Sequence, residues 1–351
     1  MSIATPSSPG SEPPRAKHDE DAPTETNKKT YGCCEDRIST LPKTKGWFNK
    51  SLWQYEGFYF WSSSLPGLMR MQAHFNARSS DVLITSFPKA GTTWVKALVF
   101  AIVNRSRYEK ETNPFLTKTP HDCIQNLELY VYRDSGPTLP LDDIPPPRLF
   151  STHVPYTSLP KSVINSKCKI IYIYRDPKDV LISLYHFASK ITPQISMNED
   201  DGNLEMDNFS VIDAYVLFCK GISPYGPYWD NVLSYWKASI ERSQNILFLR
   251  YEDLQGDPQF YVKRLAQFLG QPFSLQEEET GEIQRIVDLC SFESLSGLQI
   301  NKTGTHVWNF SNTVFFRKGE VGDWKNYLTI GMAEHLDQII KQKLDGSGLT
   351  L

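Results

Sequence analysis

Residues Ser86 to Lys96 read SFPKAGTTWVK, between the apolar run DVLIT and the amphipathic run ALVFAIVN. A strand-like run, a Lys/Gly/Thr turn and a helical run together make the layout of a phosphate-holding loop. Gly91 lets the backbone approach an anion closely. The N–H groups of Gly91, Thr92 and Thr93 open a helix, where the first donors have no intrahelical partner and the dipole favours negative charge. Lys89 adds a point charge, and the two threonine hydroxyls add donors. The order is not that of the ATP-binding signature, which reads G-x-x-x-x-G-K-[ST]. Here Lys89 precedes Gly91, and the chain contains no Gly-Lys pair.

Other groups of the same kind follow other apolar, β-branched runs. His153 follows residues 149–152, Arg175 follows 169–174, and Arg250 and Tyr251 follow 246–249, as Lys89 follows 82–85. Arg175 offers a planar fork suited to a second phosphate. Ser183 lies two helical turns further on, either as a cavity hydroxyl or bonded back to the Asp179 carbonyl. Arg317, Lys318 and Gly319 follow an aromatic run and read either as a phosphate clamp or as a solvated turn. No H-E-x-x-H, Cys/His set or EF-hand loop is present. Several cations without metal-binding carboxylates suit a ligand with more than one phosphate, held by protein charges alone.

Helical patterns must carry these runs into place. Residues 90–104 put Trp94, Leu98, Ala101 and Ile102 on one face. Residues 177–190 have Asp176 as a candidate N-cap and Pro177 in the first turn, and residues 258–269 have Asp257 before them. Strands alternating with helices imply a central parallel sheet flanked by helices on both faces, an α/β fold in a single domain over residues 36–351. Ligands of such sheets bind outside the carboxyl ends of the strands. The Lys, His, Arg, Tyr and Thr side chains are therefore expected at one edge.

The rest of the chain sets bounds. A net charge of −3 over 351 residues argues against a nucleic-acid binder working through bulk charge. Six cysteines without a C-x-x-C spacing read as reduced thiols. No apolar run approaches the roughly 18 residues needed to span a membrane. The N-terminus has no apolar signal region and carries five acidic residues by position 25, so a cytoplasmic protein is expected. Residues 1–35 read as a disordered tail, and residues 191–209 as a solvated acidic surface. Residues 301–315 are long for a connection and read as a lid or binding segment. The aromatic run 47–61, WFNKSLWQYEGFYFW, reads as core, as a lid over it, or as a wall for a flat aromatic ligand.

The motifs SFPKAGTTW, STHVP, YIYRDPKDVLIS, LRYEDL, LCSFESL and RKGEVGDWKNYLT, in that order, resemble those of the cytosolic (soluble) sulfotransferases. The stretch GPYWDNVLSYWKAS is similar to the plant branch, and the likeness runs from about Trp47 to the C-terminus. The resemblance implies transfer of a sulfuryl group from 3′-phosphoadenosine 5′-phosphosulfate (PAPS) to a small-molecule hydroxyl acceptor, with no metal. It implies that the loop Lys89, Ala90, Gly91, Thr92, Thr93, Trp94 cradles the 5′-phosphate, and that Arg175, Ser183, Arg317, Lys318 and Gly319 hold the 3′-phosphate. Trp94 and Phe292 would sandwich the adenine, with Tyr251 and Ser291 adding polar contacts. His153 matches the catalytic base, and Lys89 would neutralise the oxygen bridging phosphorus and sulfur.

Many animal members carry Lys where this chain has Ser151, and the C-terminal dimer motif appears with Ile330 in place of Val, leaving monomer or weak homodimer open. The acceptor expected is a flat phenolic such as a flavonoid, with steroids and other plant metabolites as alternatives. A nucleotide kinase and a non-catalytic nucleotide-binding protein are the rival readings. The Lys–Gly order counts against the first, and the presence of both Lys89 and His153 against the second.

Overall fold

The computed structural model of the chain describes residues 36–133, 141–195 and 209–351. The expected tail at 1–35 and residues 196–208 of the acidic segment lie outside them. Three short strands, β1 (Lys43–Lys45), β2 (Ser51–Tyr55) and β3 (Phe58–Phe60), form an antiparallel sheet that the sequence reading did not contain. It accounts for the aromatic run. Trp47, Phe48, Tyr55, Phe58 and Phe60 are buried in the core, whereas Trp61 lines a cavity. Tyr59 exchanges backbone hydrogen bonds with Tyr225 and Gly226, which brings the Tyr225 ring to within 5.4 Å of the His153 ring.

The main sheet is parallel, in the order β5-β4-β6-β7, from β4 (Val82–Ser86), β5 (Leu149–Thr152), β6 (Lys169–Tyr174) and β7 (Ile246–Arg250). Each matches the expected run to within one residue. Side chains of a strand alternate between faces. Ile170, Tyr172 and Tyr174 of β6 enter one core, Ile171 and Ile173 the other. Leu83 of β4 joins the first, Val82 and Ile84 the second. Both faces are covered, which is why these strands read as unbroken apolar runs. Neighbours β5 and β6 lie on opposite sides of β4, so the chain reverses its direction of winding at β4. A crevice opens at the carboxyl end of such a strand, where Ser86 leads into the Lys89 loop.

The flanking helices include α1 (Thr92–Val103), α2 (Pro120–Cys123), α3 (Pro177–Ile195), α4 (Tyr228–Glu241) and α5 (Pro258–Phe268). Asp176 accepts from the Lys178 N–H at 2.8 Å and Asp257 from the Phe260 N–H at 3.1 Å, as their cap positions require. Residues 301–315 are more ordered than a long loop. They continue α6 (Gln299–Thr303), form a bridge between Thr305 and Ser311, and close in a 3₁₀ turn, Asn312–Phe315. Two amides explain it: Asn301 Nδ2 donates to Leu295 O at 2.8 Å, and Asn312 Nδ2 to Ile300 O at 3.0 Å.

At the opposite end of the sheet, Arg148 grips Asp81 through two hydrogen bonds of 2.8 and 2.6 Å, with both side chains buried. The pair ties the start of β4 to the start of β5. The pair holds the guanidinium pKa above its ordinary value. Removing one partner of a buried pair strands the other charge. Asp81→Ala is expected to cost about 3–5 kcal/mol in urea unfolding. A loss under about 1 kcal/mol, the range of exposed pairs, would show that the pair does not hold the sheet.

Candidate active site

The turn after β4 is built from two left-handed residues, Lys89 at φ 69° and Gly91 at φ 114°. A Cβ on Gly91 would lie 2.7 Å from the Tyr251 ring, so only glycine fits there. The turn delays helix α1 to Thr92, two residues later than the sequence pattern suggested. It also leaves the N–H groups of Gly91, Thr92, Thr93 and Trp94 without a partner among the described residues. Ala90 is the exception. Its N–H bonds to Phe87 O at 3.2 Å, and its side chain is buried in the core. It braces the loop and does not line the cavity.

A cavity of about 360 Å³ opens over these donors. Lys89, Gly91, Thr92, Thr93, Trp94, His153, Arg175, Ser183, Tyr251, Ser291, Phe292, Arg317 and Gly319 all line it. Ser183 does not bond back to Asp179, so its hydroxyl remains a cavity donor. Arg175 is held by Asp179 at 3.1 Å and by the Glu320 carbonyl, and its guanidinium lies 4.5 Å from the Tyr251 ring centre. Arg317 is held by Asp323. The Nε atoms of Arg175 and Arg317 are nevertheless buried without a partner. Buried orphan donors carry a desolvation cost.

Lys318 does not join this set. Its ammonium pairs with Asp323 at 2.6 Å, outside the cavity wall. Arg250 likewise pairs with Glu252 and lies outside it. Phe292 packs against Gly319, where a Cβ would meet the ring at 2.7 Å. Trp94 and Tyr251 meet edge to face at 5.6 Å.

Lys89 is the most perturbed cation of the cavity. Burial first, then Arg317, Arg175 and Lys190, push its pKa down to about 7. Its ammonium sits 4.3 Å from the centre of the Phe187 ring.

A second, smaller cavity of about 120 Å³ adjoins the first. Its walls are mainly aromatic and aliphatic: Trp61, Tyr130, Phe187, Trp308, Phe310 and Phe315, with Leu129, Leu184 and Ile191. Tyr130 and Trp308 lie nearly parallel, 5.5 Å and 15° apart. Among the described residues, no Asp or Glu lines this cavity. His153 lines both cavities, together with Pro88, His121, Phe187 and Phe315.

His153 is held from three sides. Its Nδ1 donates to Ser86 O at 2.9 Å, its N–H donates to Glu128 at 3.0 Å, and its carbonyl accepts from Asn231 at 3.3 Å. Glu128 is buried and also accepts from the Thr152 hydroxyl at 2.7 Å. With Nδ1 carrying the proton, Nε2 is left as a hydrogen-bond acceptor. The ordinary histidine pKa near 6.5 does not hold here. Burial pushes it down to about 4, and Lys96 and Lys89 act in the same direction, against the Ser86 hydrogen bond. The imidazole is therefore neutral across the physiological range.

Sequence reasoning missed His121, Lys96 and Glu128, whereas the segment 301–315, read as a lid or binding segment, supplies His306, Trp308, Phe310 and Phe315 to the aromatic cavity. For each of the first two a signal was present. Thr119-Pro120-His121-Asp122 spells a helix N-terminus with a reciprocal cap, and Lys96 is a lone charge in an apolar helical run.

Comparisons with known proteins identify the family. The Sulfotransferase domain family matches residues 79–348. Cytosolic sulfotransferase 16 of Arabidopsis thaliana is 45% identical over 329 residues, 92% of this chain and 93% of that protein. Flavonol 4′-sulfotransferase of Flaveria chlorifolia is 41% identical, over 93% of this chain and 99% of its own length. Flavonol 3-sulfotransferase of Flaveria bidentis is 43% identical, over 90% and 99%. Among solved structures, a putative steroid sulphotransferase of Arabidopsis thaliana superposes with a TM-score of 0.69 at 35% identity, covering 90% of this chain and 94% of that one. A mouse sulfotransferase complexed with PAP superposes at 0.61 and 27% identity, covering 84% and 95%. A matched family domain over most of the chain, relatives of this identity along nearly their whole length and the phosphate-loop geometry lead to one conclusion: the chain belongs to the sulfotransferase family.

Proposed function

We propose that the chain, with residues 36–351 as its catalytic unit, transfers the sulfuryl group of PAPS to the hydroxyl of a flat phenolic acceptor, a flavonoid in the first instance. The observation that carries this reading is the position of His153. It stands where a cation-lined cavity meets an aromatic one, with its free nitrogen uncharged. The larger cavity takes the nucleotide. Gly91, Thr92, Thr93 and Lys89 face the 5′-phosphate. Arg175, Ser183 and Arg317 face the 3′-phosphate, with Gly319 keeping the backbone clear. Trp94 and Phe292 flank the adenine, with Tyr251 and Ser291 beside it.

Transfer is then an in-line displacement at sulfur. His153 Nε2 takes the proton of the acceptor hydroxyl as its oxygen bonds to sulfur. The bond from sulfur to the phosphate oxygen breaks, and adenosine 3′,5′-bisphosphate leaves. Lys89 and the loop N–H groups stabilise the charge gathering on that oxygen. Positioning and electrostatics carry the barrier, as in phosphoryl transfer. Aromatic walls suit a planar ring system, and a lining without carboxylates among the described residues suits an acidic phenol. A cytosolic location accords with the names of the relatives, and among the described residues no helix is long and apolar enough to cross a membrane. The partner in the reaction is a small molecule; neither nucleic acid nor metal enters it.

The test is a screen of flavonols, simple phenols and steroids with labelled PAPS, with and without EDTA. Label on a flavonol, unaffected by EDTA, is expected. Transfer that needs Mg²⁺ and ATP in place of PAPS would overturn the reading.

Arg175 separates donor binding from chemistry. Its fork is preset by Asp179, so Arg175→Ala is expected to weaken bisphosphate binding about 10- to 100-fold, the range for hydrogen bonds to charged groups. The single-turnover rate at saturating donor should fall much less. Calorimetry showing unchanged bisphosphate affinity would remove Arg175 from the 3′-phosphate site.

A further inference from the structure

Helix α1 carries one lysine among apolar residues. Lys96 is 1% exposed, and among the described residues no carboxylate lies within ion-pair distance of its ammonium. Burying a charge without a counter-ion is costly. Its hydrogen bond goes to His121 Nδ1 at 3.1 Å, and His121 Nε2 lies 2.9 Å from Thr93 Oγ1. Thr93 and Lys96 are three residues apart on α1 and share a face. Helix α2 sets His121 across both. Thr119, its N-cap, accepts the His121 N–H at 3.2 Å, and Phe315 stacks on the imidazole at 4.0 Å. Lys96 lines the aromatic cavity, Thr93 the nucleotide cavity, and His121 both.

The chain of bonds has a direction. An ammonium only donates, so Nδ1 of His121 accepts. The imidazole proton then sits on Nε2 and is donated to Thr93 Oγ1. With its oxygen occupied as an acceptor from that side, the Thr93 hydroxyl has its own proton to offer elsewhere, and it stands on the nucleotide cavity wall. We propose that Lys96, acting through His121, is a positioning residue that aims the Thr93 hydroxyl proton at the phosphate of the donor. This rests on the nucleotide-site reading given above. No proton is transferred and no bond is made; only the polarity of a hydrogen-bond chain is set.

The surroundings are consistent with that polarity. Burial pushes the His121 pKa well below its ordinary value, and Lys96, His306, Lys89 and His153 push the same way. The ring is neutral, as a ring with one donor and one acceptor nitrogen must be. Burial lowers Lys96 to about 7, while Glu128 and Asp122 pull it upward. A polyanion in the adjoining cavity favours its charged form.

Calorimetry with adenosine 3′,5′-bisphosphate tests the coupling. Thr93→Val and Lys96→Met are each expected to weaken binding by about tenfold, within the range for a hydrogen bond to a charged group. The double variant should bind no worse than the weaker single variant, because both remove the same bond. A multiplied loss of about 100-fold, the signature of independent sites, would overturn the proposal, as would Lys96→Met binding like the parent. Long-range ¹⁵N spectra of the parent in the bisphosphate complex read the His121 tautomer directly, with His121→Asn identifying the signal. The Nε2–H form is expected, and the Nδ1–H form would overturn the proposal. If the parent binds no bisphosphate, the nucleotide-site reading and this proposal fall together. If it binds and the tautomer is Nδ1–H, this proposal alone falls.

Discussion

His153→Ala is expected to lower the single-turnover rate by at least ~10²-fold, because general-base assistance is typically worth ~10²–10⁴-fold, or roughly 3–5 kcal/mol of barrier. Its affinity for adenosine 3′,5′-bisphosphate should stay near that of the parent. The two effects separate because the phosphate-facing groups come from other elements: the loop after β4, Arg175 in the turn after β6, Ser183 on helix α3, and Arg317 with Gly319. His153 reaches the nucleotide cavity only at its junction with the aromatic one. If the imidazole merely pinned its own loop through Ser86 and Glu128, the variant would lose melting temperature and product affinity together with rate. The pH profile gives a second reading. Proton acceptance needs the neutral ring, so activity falls as pH falls through the histidine pKa. Burial places that limb at about 4, and not near the ordinary 6.5. Flat activity between pH 5 and 7 is therefore expected on the acid side of the profile. A limb near 6.5 would show that His153 is solvated during turnover.

Lys89→Met keeps the length of the side chain and removes its charge. Removing one stabiliser of transition-state charge typically costs ~10²–10³-fold, and a loss of that size in kcat/KM is expected. A proton-linkage measurement identifies the cause. In the free enzyme burial and neighbouring cations hold Lys89 near 7. Phosphate binding favours the charged form and raises that pKa, so binding takes up a proton wherever the free enzyme has lost it. At pH 8, about one unit above, the bisphosphate binding enthalpy should depend on the ionisation enthalpy of the buffer, and Lys89→Met should reduce that dependence to the share that Lys96, also held near 7, contributes. Affinity should also weaken as pH rises above about 7. Unchanged proton uptake in the variant would assign the linkage to another group, and an unchanged rate would remove Lys89 from the leaving-group site.

The elements that position the site were largely legible, because both faces of the sheet are buried. Residues 170–174, IIYIY, are a single unbroken apolar run for that reason, and a Lys, a His or an Arg at the end of such a run stands out. Asp176 and Asp257 marked helix starts through cap chemistry that is local. What was not legible depends on long-range packing. The antiparallel sheet β1–β3 hid in a run whose aromatics serve core and cavity at once. Residues 301–315 looked like loop because the amides that order them, Asn301 and Asn312, bond to carbonyls of neighbouring helical segments. Lys318 sat beside Arg317 in the sequence and both pair with Asp323, yet only Arg317 lines the nucleotide cavity. Ala90 lies inside the phosphate motif, but the left-handed turn at Lys89 and Gly91 folds its N–H back onto Phe87. His121 and Lys96 come from segments 25 residues apart, and only the fold shows that they meet.

The measurement closest to the central claim is a crystal structure of the enzyme with adenosine 3′,5′-bisphosphate and a flavonol acceptor. The expected result is a nucleotide with its 5′-phosphate on the Lys89–Thr93 loop, and one acceptor hydroxyl within hydrogen-bond reach, about 3 Å, of His153 Nε2. A nucleotide seated away from the loop, or an acceptor whose hydroxyls all point away from His153, would contradict it.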